Sequence, residues 1–190
     1  MAMPDLGVHY WTAEDVRQLP DDGNRYECID GVLLVTPAPR GPHGYVVDAV
    51  LDALRVFART LRPDAWLFHA PTDVEISPQT LVQPDIFVAR RKRGTVKIMQ
   101  PADIRDLLLA IEVLSPSTAR IDRGRKREFY QRAGVHEYWI VDHSARLVER
   151  WRPIDARPKI ISGTLVWHPE GAATPLEIDL PALFREALDE

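Results

Sequence analysis

From Leu107 to Leu114 the chain reads Leu-Leu-Leu-Ala-Ile-Glu-Val-Leu, an apolar run broken only by Glu112. An apolar segment this short and continuous, spanning Asp106 to Leu114 in all, fits a central strand buried on both faces, which requires helices packed over a sheet. A lone carboxylate in such a strand needs a partner. The chain is therefore expected to be α/β, with Glu112 as its most demanding residue.

The rest of the pattern agrees. Thr12 to Leu19 reads as a short helix with a hydroxyl cap and early acids, ended by Pro20. Asp30-Gly31 between two β-prone runs, Arg25 to Ile29 and Val32 to Thr36, predicts a hairpin. Val46, Val50, Leu54, Phe57 and Leu61 recur at helical spacing and predict a helix with one face on a sheet. Trp66 to Ala70, Thr72 to Ile76 and Leu81 to Ala89 read as strands, the last holding Pro84 where no ladder donor is needed. Ser115-Pro116-Ser117-Thr118 should open a helix running to Ala133, stopped by Gly134. Glu137 to Val141, Arg146 to Trp151, Ile160 to Trp167 and Pro175 to Ile178 complete the strands.

At 190 residues and 45% hydrophobic, the chain is expected to form one domain over residues 1–190. It carries no apolar run long enough to span a bilayer and no secretory signal, so a cytoplasmic protein without membrane contact is expected. Cys28, the only cysteine, excludes an internal disulfide and a cysteine-rich zinc site. The net charge of -4 argues against a protein that coats nucleic acid over its whole surface. It leaves room for a local basic face, because Arg90 to Arg93 and Arg120 to Arg127 concentrate positive charge.

Asp85, in Gln83-Pro84-Asp85, and Glu112 stand on two apolar segments, and Lys126 follows on the next helix with Asp122 four residues earlier. Two hard carboxylates suit Mg²⁺ or Mn²⁺, with the Val113 backbone carbonyl as a further ligand. A lysine beside them could orient an attacking water or offset charge on a phosphorane. Glu27, on the N-terminal hairpin, is expected to complete the site as a metal ligand or through a bound water. Strand alternation puts Leu114, not a lysine, two residues after Glu112 on its face. Lys126 is the natural substitute, since Asp122, Lys126 and Tyr130 share one helix face. That face is expected to be exposed, so that Lys126→Ala would leave stability almost unchanged. Arg123, Arg125, Tyr130 and His43 are candidates for substrate contact. Tyr130 could equally pack on the sheet, and Trp139, Trp151 and Trp167 read as core or interface residues.

Several blocks together resemble the Uma-two family of restriction-endonuclease-like proteins, a branch of the PD-(D/E)XK nuclease superfamily. They are Arg25-Tyr26-Glu27-Cys28-Ile29-Asp30-Gly31, Gln83-Pro84-Asp85-Ile86-Phe87-Val88, Glu112-Val113-Leu114-Ser115-Pro116-Ser117-Thr118, Asp122 to Tyr130, and Gly134 to Asp142. The resemblance implies a restriction-endonuclease-like core, a mixed central sheet flanked by helices, with an added N-terminal hairpin and C-terminal strands. It implies Glu27, Asp85, Glu112 and Lys126 as site residues and Mg²⁺-dependent cleavage of nucleic acid, DNA first. A homodimer is compatible with double-strand cutting, although the sequence marks no interface. The alternatives are a hydrolase for RNA or a small phosphodiester, and a non-catalytic module that keeps the fold to bind nucleic acid or protein.

Overall fold

The computed structural model of the chain describes residues 9–37, 41–61, 64–90 and 106–188. It opens with α1 (Ala13–Arg17), whose Thr12 and Asp15 form a capping box, and the antiparallel hairpin β1 (Asn24–Ile29) and β2 (Val32–Pro37). Asp30 and Gly31 at the turn have φ of 52° and 77°, the two left-handed residues that a tight hairpin requires. Then come α2 (Pro42–Ala58), β3 (Ala65–His69), β4 (Val74–Ser77), β5 (Thr80–Val82), β6 (Ile86–Arg90) and β7 (Leu107–Val113). A helical segment follows: α3 (Ala119–Ile121), a π-helical turn (Asp122–Lys126) and α4 (Arg127–Arg132). The chain continues through β8 (Tyr138–Asp142), β9 (Leu147–Trp151), β10 (Lys159–Ile161), β11 (Thr164–Trp167), β12 (Leu176–Asp179) and α5 (Leu180–Ala187).

The larger sheet has six strands in the order β10-β9-β8-β7-β6-β3. Its β7–β8 pair is parallel and the others antiparallel, the mixed central sheet expected. All seven residues of β7 are buried, as the apolar run demanded. Since parallel neighbours need a crossover, the helical segment from Ala119 to Arg132 makes it. A second sheet, β2-β1-β5-β4, carries the hairpin, and β11 pairs with β12.

Two apolar clusters cover the two faces of the six-stranded sheet. Val46, Val50 and Leu54 of α2 and Phe184 of α5 pack with Ile86, Ile111, Val113 and Trp139. On the other face Ile29, Phe129, Tyr130 and Tyr138 pack with Phe87, Ala110 and Leu114. Glu112 lies between Ala110 and Leu114 in the alternation of β7, so it enters this second face. Cys28 and the tryptophans at 139, 151 and 167 are buried.

Three elements differ from expectation. The run Leu81 to Ala89 is two strands in different sheets, because Pro84 cannot donate to a ladder and pairing stops there. Gln83-Pro84-Asp85 therefore crosses from one sheet to the other. Ile160 to Trp167 likewise divides into β10 and β11. The sequence reading missed α5, although Asp179 caps it by accepting from the Ala182 N–H and a proline sits in its first turn. Arg91, Lys92 and Arg93 of the first basic run lie outside the described residues.

Candidate functional site

The β6–β7 register pairs Ile86 with Ile111, which puts Asp85, one residue ahead of β6, beside Glu112 on the same face. A small, partly open cleft lies there, lined by Arg25, Thr36, His43, Asp85, Glu112 and Val113, with Ser115 and Thr118 at its wall. Asp85 has a partner on each carboxylate oxygen. Its Oδ1 accepts from Arg25 Nη1 at 2.9 Å, while Oδ2 accepts the Val113 N–H at 2.9 Å and lies 3.1 Å from His43 Nε2. Burial alone would raise the carboxyl's pKa, but the His43 contact and the Arg25 charge outweigh it and lower it to about 2. Asp85 is a fixed anion.

Behind Glu112 stands Lys126, itself only 2% exposed. Its Nζ donates to Glu112 Oε1 at 2.9 Å, lies 2.8 Å from Glu27 Oε2, and is 4.0 Å from Asp122 Oδ1. Burial opposes the ammonium charge, yet Glu112, Glu27 and Asp122 raise its pKa well above the usual lysine value. The acids divide the cost. Burial first, then the charges of Asp85, Asp122 and Glu27, push Glu112 well up despite Lys126. Asp122 rises to about 6, chiefly through burial with added repulsion from Asp85 and Glu27, while Lys126 and the nearby Thr118 hydroxyl oppose the shift. Neither Asp122 oxygen accepts a well-aligned hydrogen bond. The π-helical turn holds Asp122 and Lys126 inward together, a local irregularity of a kind that recurs at functional sites.

Asp85, Glu112, Val113 and His43 thus meet at one cleft, and Lys126 reaches them from behind. Other expectations need correction. Glu27 does not line the cleft: its Oε1 accepts the Gln83 N–H at 2.7 Å and its Oε2 faces Lys126, so it steadies the lysine and the chain crossing at Pro84. The Asp122–Lys126 face is buried, not exposed, because the crossover must cover the acids of the sheet. Tyr130 is fully buried against Phe129 and Tyr138, which removes it as a substrate contact. Arg123 is committed to Glu149 and Asp142, at 2.6 and 2.8 Å, whereas Arg125 is exposed. Arg90 pairs with Glu170.

Sequence reasoning passed over Arg25 as a site residue and ranked His43 low. The signal for Arg25 was its place two residues before Glu27, hence on the same face of β1. Among the described residues, no three His, Cys, Asp or Glu side chains form a ready cage for a metal ion.

Among curated proteins none matches this chain. The crystal structure of "a putative nuclease belonging to DUF820" from Anabaena variabilis is similar in fold, with a TM-score of 0.74 at 20% identity, covering 93% of this chain and 99% of that one. The Uma2 family model, described as "Putative restriction endonuclease", matches residues 13–183. That span takes in every site residue named above, and the chain belongs to the Uma2 family.

Proposed function

We propose that this protein is a metal-dependent nuclease that hydrolyses phosphodiester bonds of DNA. The observation that carries the reading is the pair Asp85 and Glu112, side by side on one face of the sheet at an open cleft, with the Lys126 ammonium on Glu112. The residues fit a divalent ion. Four carboxylates, Glu27, Asp85, Glu112 and Asp122, are met by two permanent cations, Arg25 and Lys126, and burial, with the surplus negative charge added to it, raises Glu112 and Asp122. Oxygen donors from Asp85, Glu112 and the Val113 carbonyl suit Mg²⁺ or Mn²⁺. An ion bound there would supply Lewis-acid stabilisation and a more acidic water. Lys126 keeps a positive charge against Glu112 and so offsets charge developing on the phosphoryl group. Glu27 holds that lysine in place, and His43 and the Val113 N–H orient Asp85.

Incubating purified protein with DNA and with RNA in Mg²⁺, Mn²⁺ or EDTA tests this. Cleavage of DNA that EDTA stops, and that Asp85→Asn and Glu112→Gln each lower by at least about 100-fold, is the expected result. Cleavage indifferent to EDTA would overturn the proposal.

One observation favours a second reading, a binding module that keeps the fold without turnover. Asp85 and Glu112 already have cationic partners in Arg25 and Lys126, so the fold tolerates the pair without an ion. No turnover with either ion, together with salt-sensitive DNA binding, would support it.

A further inference from the structure

Both oxygens of Asp85 are engaged, but unequally. Oδ2 is held by His43 and the Val113 N–H, whereas Oδ1 has one partner, Arg25 Nη1. The same Nη1 also donates to the Gln83 carbonyl at 3.1 Å. Among the described residues, Nε and Nη2 of Arg25 donate to nothing. The side chain is 17% exposed and stands on the cleft wall. A guanidinium presents a planar fork that matches two phosphate oxygens, and much of this fork is unspent. Thr36 lines the same cleft, as do Ser115 and Thr118, whose hydroxyls lie 3.0 Å apart in a bonded turn.

A divalent ion ligated by Asp85 would need a carboxylate oxygen, and Oδ1 is the one whose release breaks a single contact. It would also bring two positive charges against a guanidinium now 2.9 Å from that oxygen. We propose that Arg25 and the ion compete for Asp85, and that the guanidinium so displaced takes a backbone phosphate of the bound strand. This rests on the nuclease reading above and assigns Arg25 as a substrate-positioning residue. Its consequence is reciprocal coupling: the ion frees Arg25 for phosphate, and phosphate draws Arg25 from Asp85, so each ligand tightens the other.

Calorimetry with Ca²⁺ and a short DNA duplex, checked intact afterwards, tests the coupling on the full chain. In the parent protein, Ca²⁺ should raise duplex affinity by about tenfold, a typical coupling strength. Arg25→Met should bind Ca²⁺ alone more tightly, by about tenfold, because a competing charge is gone, and should lose the coupling. Arg25→Lys keeps the charge but not the fork, so its Ca²⁺ affinity should stay near that of the parent while the coupling falls. Unchanged Ca²⁺ affinity and intact coupling in Arg25→Met would overturn the proposal and leave the nuclease reading standing. Absence of Ca²⁺ binding to the parent would overturn the coupling, whereas only cleavage indifferent to EDTA overturns the nuclease reading. Should Arg25→Met fail to fold, Arg25→Lys decides alone, and undiminished coupling in it overturns the proposal.

Discussion

Lys126 is a buried cation encircled by Glu112, Glu27 and Asp122, so removing it strands three carboxylates in a low-dielectric interior. Lys126→Ala should therefore destabilise the fold by about 3 to 5 kcal/mol as well as end cleavage, which makes a lost activity alone ambiguous. Adding Glu27→Gln removes one stranded charge, and the double variant should recover at least about 1 kcal/mol in a denaturant titration while remaining inactive. Recovery of cleavage with stability would reduce Lys126 to a structural role. Asp122 gives the complementary test. Its carboxyl rises from 3.8 to about 6 on folding, so the native state holds a proton that the unfolded chain releases first. For an acid shifted upward, stability is full below the unfolded pKa and falls as pH rises through the folded one, here by about 3 kcal/mol between about pH 4 and 6. Asp122→Asn should abolish that decline and exceed the parent in melting temperature above about pH 6. A parent whose melting temperature is level across that window would refute the assignment.

At the scale of elements, the π-helical turn decides how the crossover meets the acids. Gly124 sits in it with open space where a Cβ would project, and its φ is not left-handed. Gly124→Ala should therefore stabilise the protein by about 0.5 to 1 kcal/mol through helix propensity and a less flexible unfolded chain. A lower denaturation midpoint would mean that the turn needs a backbone only glycine provides. The turn also shows what a sequence conceals. Asp122, Lys126 and Tyr130 at four-residue spacing indicate one shared face, but α and π geometries both satisfy that spacing, and neither tells whether the face is wet. The central strand and the hairpin were legible because they follow from local period and turn chemistry, whereas the grouping of Asp85 with Glu112 rested on their order along the chain and on the family resemblance. The contacts of Arg25 and His43 with Asp85 were not legible, since they span 60 and 42 residues and no local pattern encodes that meeting. The break at Pro84 was half legible: the missing donor was visible, its use as a crossing between sheets was not.

For the molecule as a whole, the proposed nuclease function asks a chain of net charge -4 to offer a surface that meets phosphates. Most arginines on the crossover are spent on the protein itself: Arg123 on Glu149 and Asp142, Arg127 on Glu128 and over the Trp151 ring, Arg132 on Asp30. Arg120 and Arg125 are exposed and have no ion-pair partner among the described residues. Few free cations should give a shallow salt dependence, since each phosphate neutralised contributes a slope of about -0.9 to log affinity against log salt. Arg125→Ala should weaken DNA binding equally across sequences and reduce that slope by about 1, with no change in melting temperature. Arg123→Ala should do the opposite, lowering the melting temperature because it ties the crossover to β8 and β9, while leaving the slope almost unchanged. The sequence groups these two arginines as one basic patch, whereas the structure divides them into an exposed side chain and a brace. Equal effects on slope in the two variants would show that the ion pairs of Arg123 yield to phosphate, and that the basic patch acts as a single unit.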